Sequence, residues 1–106
     1  MLALKGNYDQ AITDYTQAIK LKPDDTEAYY NRGNAYDSKG NHDQAITDYT
    51  QAIKLKPDLA EAYYNRGITY KAKKDKLRAI ADFRKCVELN KNPNAIKQLE
   101  ELGAKP

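Results

Sequence analysis

Hydrophobic and small residues recur along this chain at spacings that wind onto one side of a helix, and they come in paired runs. Tyr29, Gly33 and Tyr36 stand at i, i+4 and i+7, and Ala45, Tyr49, Ala52 and Ile53 follow at i, i+4, i+7 and i+8. Each run predicts an amphipathic helix with one face for a core and the other for water. Between the two, Gly40 can take the left-handed conformation that ends a helix, and Asn41 offers a side-chain oxygen to cap the next one. The second helix should stop at Lys56, because Pro57 pushes the residue before it out of helical geometry. The pattern predicts a helical hairpin.

The hairpin repeats. Gly6 to Asp24 matches Gly40 to Asp58 at an offset of 34, with Tyr8 and His42 the one difference, and EAYYNRG occurs at both 27–33 and 61–67. Complete repeats therefore span 26–59 and 60–93, preceded by a partial copy over 1–25. Residues 94–106 place Ile96, Leu99 and Leu102 on one stripe with Gly103 as a stop, which predicts a capping helix over the last hairpin. Gly33 with Ala45, and Gly67 with Ala79, should let the two helices of each hairpin approach closely. In the third copy Lys74 replaces the turn glycine, Cys86 an alanine and Lys91 the closing proline. A left-handed Lys74 costs about 1 kcal/mol relative to glycine, so a looser turn is expected there. At the other end, aligning Gly6 with Gly40 leaves Met1 to Lys5 where a first helix should finish, so a helix over Tyr8 to Leu21 is expected without its hairpin partner.

These residues resemble the tetratricopeptide repeats, a family with a 34-residue period. Tyr29, Gly33, Tyr36, Ala45, Tyr49, Ala52 and Pro57 carry the likeness in one copy, and Tyr63, Gly67, Tyr70, Ala79 and Phe83 in the next. It covers nearly the whole chain. The resemblance implies an all-α, right-handed helical-hairpin solenoid of about two and a half repeats plus a C-terminal cap, as one domain over 1–106. It also implies a concave groove lined by the first helix of each repeat.

Composition changes the picture mainly by exclusion. No run approaches the roughly 18 apolar residues of a membrane-spanning helix, and Met1 to Leu4 is too short for a signal-peptide core, so a cytoplasmic protein without membrane partners is expected. Cys86 is the one cysteine and reads as a buried free thiol. With one His, one Cys and one Ser the chain offers no recognisable catalytic set, and His42 stands where the preceding copy has Tyr8, a packing position at a helix start. Scattered glycines form no phosphate loop, and no Cys/His spacing suits a metal. No enzyme activity, cofactor or metal is expected.

The function expected is that of a protein-interaction scaffold. On the groove face the candidates for an extended peptide are Tyr30, Asn31, Asn34, Tyr64, Asn65, Ile68 and Lys71. Asn31 and Asn65 recur one repeat apart, and side-chain amides both donate to and accept from a peptide backbone whatever its sequence. Tyrosines beside them are the residue type enriched at interface anchors. The family's two-carboxylate clamp for acidic chaperone tails is not expected, because Tyr30 stands for a lysine in one register and Glu61 and Asn65 for basic residues in the other. The alternative is self-assembly into homo-oligomers through the uncovered N-terminal helix, by Leu2, Leu4, Ile12, Tyr15 and Ile19. The cations Lys71, Lys73, Lys74, Lys76 and Arg78 read as a solvated turn, too short and too poor in aromatics to argue for nucleic acid.

Overall fold

A computed structural model describes residues 2–106, with side chains from residue 7 onward. Among the described residues the secondary structure is six helices: α1 (Leu2–Leu21), α2 (Thr26–Ser38), α3 (His42–Leu55), α4 (Ala60–Ala72), α5 (Lys76–Asn90) and α6 (Pro93–Glu101). They fall into two compact units, Met1–Pro57 and Asp58–Pro106.

In the first unit α2 packs on both α1 and α3. The α2–α3 hairpin is tight because Gly33 has no side chain: a Cβ there would sit 2.8 and 2.9 Å from ring carbons of Tyr49. Tyr49 fills that notch and is buried, together with Ala45 and Ala52. The second unit repeats the device, with the buried Phe83 ring of α5 against Gly67 of α4. There α6 packs on α5 and contributes Ala95 and Leu99 to a core with Ala60, Ala79, Phe83 and Cys86. Buried apolar surface stabilises by about 25 cal/mol per Å², so α6 shields a face that would otherwise meet water. Of the expected stripe Leu99 is buried and Leu102 packs against the core, while Ala95 takes the buried place expected for Ile96, which is half-buried. Burial pushes the Cys86 thiol above its ordinary value, and its Sγ–H donates to Asn90 Oδ1 at 3.6 Å.

Three local expectations need correction. Gly6, aligned with the turn glycine, lies inside α1, which runs unbroken from Leu2 instead of starting near Tyr8. The turn at Gly40 is imposed by the α2–α3 packing it serves; with no such packed pair around Gly6, continuing the helical ladder best satisfies the backbone. Second, Asn41 precedes α3 but makes no side-chain cap, whereas the carboxylate of Asp75, one repeat on, accepts from Arg78 N–H at 3.2 Å. A charged acceptor gains more from the positive end of a helix than an amide does. Third, the Lys74 turn is not looser. Lys74 takes φ 65° and closes with Lys74 N–H to Lys71 O and Asp75 N–H to Tyr70 O at 3.0 and 2.9 Å. The glycine turn closes in the same way, with Gly40 N–H to Asp37 O and Asn41 N–H to Tyr36 O both at 2.9 Å. Packing holds the geometry, and the lysine bears the strain.

Candidate protein-interaction site

Each complete repeat holds an arginine that sequence reasoning passed over. Arg32 of α2 lies between the rings of Tyr29 and Tyr36, 5.7 and 5.8 Å from their centroids. Its Nε and Nη2 donate to the two oxygens of Asp48 on α3, both at 2.8 Å, and its Nη1 donates to Thr16 Oγ1 of α1 at 3.1 Å. Arg66 repeats this between Tyr63 and Tyr70, with both bonds to Asp82 at 2.8 Å. The hydrogen bonds that Arg32 donates to Asp48 are the main cause that raises its pKa above the ordinary value, and those to Asp82 do the same for Arg66. Burial pushes the Asp82 carboxyl up, against the pull of the guanidinium. The signal was present as an Arg and an Asp 16 residues apart, recurring at 34. These pairs lock the two helices of a hairpin in register and leave the remaining faces for other work.

The groove candidates divide by unit. In the first, Tyr30 is half-buried with its ring 6.0 Å from that of Tyr49 at 51°, and Asn34 Oδ1 accepts from Tyr49 Oη–H at 2.6 Å. Both therefore also hold the hairpin together. Asn31 is half-buried beside an open cleft of about 240 Å³ between α1 and α2. One wall is Tyr8, Ala11 and Tyr15 of α1; the other is Asn31, Asn34, Ala35 and Ser38 of α2. A second hollow of about 240 Å³ shares Tyr8 and Ser38 and ends at the Asp9–Lys39 ion pair. The cleft thus brings Tyr15, a candidate for self-association, together with Asn31 and Asn34, candidates for peptide binding. Ile12 and Ile19 are half-buried on α1, while the side chains of Leu2 and Leu4 lie outside the described residues.

In the second unit Tyr64 rests on Phe83, centroids 5.7 Å apart at 59°, and Ile68 packs against the core cluster. Asn65 is half-buried, and its backbone carbonyl accepts from Thr69 Oγ1 at 3.0 Å. Lys71 Nζ donates to Gln98 Oε1 at 2.6 Å and pairs with Glu101 at 3.0 Å, which holds the Glu101 carboxyl below its ordinary value. Its charge is already engaged by α6. Arg78 pairs with Asp75 at 2.7 Å, so two cations of the basic run are locally matched. His42 Nδ1 lies 2.9 Å from Asp37 Oδ1 at the start of α3. Among the described residues no three His, Cys, Asp or Glu side chains converge to hold a metal, and no helix is long and apolar enough to cross a membrane.

Hairpins of this construction, repeated at 34 residues, define a helical-repeat protein, and the comparisons agree. The TPR repeat model matches residues 1–40 and 33–74, and the tetratricopeptide repeat model matches 60–93. The chain belongs to the tetratricopeptide repeat family, and its class is the all-α helical-hairpin solenoid. A search of curated proteins finds no match. Among solved structures it is similar to the first TPR of Spaghetti (RPAP3) bound to the HSP90 peptide SRMEEVD, with 28% identity and a TM-score of 0.88 over 96% of this chain and 89% of that one. It is also similar to the Arabidopsis OM64 TPR domain, at 29% identity and a TM-score of 0.88 over 92% of this chain and 82% of that one. A third is MamA, at 28% identity and a TM-score of 0.87 over 92% of this chain and 58% of that one. This is the architecture of a protein-interaction scaffold.

Proposed function

We propose that the chain holds a partner polypeptide without transforming it, in the α1–α2 cleft beside Asn31, with Asn65 of α4 as the equivalent contact of the second unit. The carrying observation is the convergence of Tyr8 and Tyr15 with Asn31, Asn34 and Ser38 around one open cleft. Aromatic surface there supplies apolar contact, and amides and a hydroxyl supply hydrogen bonds that read a backbone. A structural neighbour bound to a peptide supports the same class of ligand. That neighbour's peptide ends in acidic residues, but this chain presents Tyr30 in one register, or Glu61 and Asn65 in the other, where the resemblance implies a two-carboxylate clamp would need cations, and its Lys71 is paired with Glu101. An acidic chaperone tail is therefore not the proposed ligand, and micromolar binding of SRMEEVD would refute that exclusion.

The test is a peptide-library selection on the full chain, followed by Asn31→Ala combined with Asn65→Ala. Losing one or two hydrogen bonds of about 1 kcal/mol each should weaken the selected ligand roughly five- to thirtyfold and leave far-UV circular dichroism unchanged. Unchanged affinity would remove the groove reading. A second reading, homo-oligomerisation through α1, is supported by Tyr15, which is only half-buried where its counterpart Tyr49 is buried. Light scattering across a concentration series decides it: a mass fixed at 12.0 kDa excludes it, and a larger species abolished by Tyr15→Glu supports it.

A further inference from the structure

The α2–α3 and α4–α5 hairpins hold the same place in successive repeats, so each is a reference for what the other needs in order to fold. They differ in charge. Over 37–51 the chain has one Lys/Arg and three Asp/Glu, net −2 with His neutral, and over the matching 71–85 it has seven and two, net +5. The change centres on the α4–α5 turn, where Lys74 stands for Gly40, Lys76 for His42, Leu77 for Asp43 and Arg78 for Gln44. All four are exposed, Leu77 to 81%. Folding asks for none of them, and each works against the free chain. Lys74 is held at φ 65°, a conformation that Gly40 takes at φ 82° without strain. Lys76 and Arg78 put cations at the positive end of α5, whose first turn has no acid, whereas α3 has Asp43 there. Leu77 leaves an aliphatic side chain in water. Strain kept at a position where the neighbouring repeat avoids it points to function.

We infer that the α4–α5 turn docks an acidic polypeptide segment that carries an apolar residue, its carboxylates meeting Lys74, Lys76 and the start of α5 and its apolar residue covering Leu77 and Ala81. The surface shares no residue with the α1–α2 cleft and stands apart from the reading of that cleft. Charge complementarity selects the acid, and the second unit already shows the pairing: Glu101 of α6 meets Lys71 at 3.0 Å and Asp75 meets Arg78 at 2.7 Å. Among the described residues Lys74 and Lys76 pair with no acid. A carboxylate placed there would also relieve the unopposed end of the α5 dipole. Leu77 and the exposed Ala81, one helical turn apart, supply the apolar part. Single-stranded nucleic acid stacks on aromatic rings, and Phe83, the one aromatic in 71–85, is buried. A membrane surface takes a helix by a broad apolar face, and α5 turns its own, with Ala79, Phe83 and Cys86, into the core. A second copy would bring a further net +3 to a positive surface.

The test titrates the full chain into a fluorescein-labelled peptide of repeated Glu-Glu-Leu units, read by anisotropy at low salt. Saturable binding is expected, and it should weaken as added salt screens the exposed charges. A matching peptide of Glu-Glu-Ser units should bind roughly tenfold more weakly for want of the apolar contact. Lys74→Gly should weaken the Glu-Glu-Leu peptide roughly threefold, the size of an exposed ion pair, while raising the melting midpoint of the chain. Binding and folding then move in opposite directions, which a merely structural lysine would not show. The triple variant Lys74→Gly, Lys76→His, Leu77→Asp copies the matching residues of the α2–α3 hairpin and should lose roughly tenfold or more with far-UV circular dichroism unchanged. Absence of saturable binding overturns the inference, as does binding that the triple variant leaves intact or a Glu-Glu-Ser peptide that binds equally well. Phosphatidylserine vesicles or single-stranded DNA bound more tightly than the peptide, and released by the triple variant, overturn it by putting another class of partner at the turn. A larger species in light scattering that the triple variant removes overturns it in favour of a second copy. Asn31→Ala with Asn65→Ala should leave the peptide's affinity unchanged; a loss there would overturn the docking at the turn and leave the cleft standing.

Discussion

Gly67→Ala adds one methyl group at the closest approach of α4 and α5. Its Cβ would lie 2.8, 3.0 and 3.1 Å from three ring carbons of Phe83. Carbon atoms rest about 3.5–4.0 Å apart, so the ring would have to retreat by roughly 0.5–1 Å. It has nowhere to go: Phe83 is fully buried against Tyr64 and within a cluster of Ala79 and Cys86. Overpacking of this kind costs about 1–3 kcal/mol, and alanine returns about 1 kcal/mol through better helix propensity. The overpacking term wins, leaving a net loss of about 1 kcal/mol, or a midpoint lower by about 4 °C in a domain of this size. Urea unfolding followed by far-UV circular dichroism measures it. The decisive control is the same substitution in a Phe83→Leu background, where the ring is gone and the propensity gain remains, so the sign should reverse. A stabilised Gly67→Ala protein, or the same effect in both backgrounds, would refute the argument from close approach.

Asp82→Asn leaves a largely buried guanidinium without its carboxylate and should destabilise by about 2–3 kcal/mol in chemical denaturation, the low end for buried pairs because Arg66 keeps some contact with water. Arg66→Lys should not substitute for the native pair, since an ammonium cannot grip both carboxylate oxygens. Lys74→Gly relieves a left-handed lysine and should raise stability by about 1 kcal/mol; an unchanged unfolding midpoint would show the turn to be unstrained. Burial lifts the Tyr49 phenol above its ordinary value near 10. Because the folded value exceeds the unfolded one, the stabilisation is complete below about pH 10 and is lost as pH rises beyond it. Alkaline unfolding should begin there, and Tyr49→Phe should move its onset upward in a pH titration.

The helical hairpins, the glycines of close approach and a C-terminal helix were legible in the order of residues, although the reading set Ala45 and Ala79 opposite Gly33 and Gly67 where the structure sets the rings of Tyr49 and Phe83. They rest on local periodicity and on a 34-residue repeat, information that short stretches of chain carry by themselves. The helical Gly6, the uncapped Asn41 and the left-handed Lys74 were decided by packing, which outweighs terms of about 1 kcal/mol. Arg32 and Arg66 were passed over because a charged residue reads as solvated until the tyrosines on either side and the aspartate across the hairpin enclose it. Lys71 looked like a groove cation, yet its partners Gln98 and Glu101 come from α6, and no local spacing announces a contact over that separation. The candidate site divides in the same way. From sequence the α1 face and the Asn31 face were two separate proposals. Only the tertiary structure made them opposite walls of one cleft, because identical helices acquire different chemistry from what lies against them.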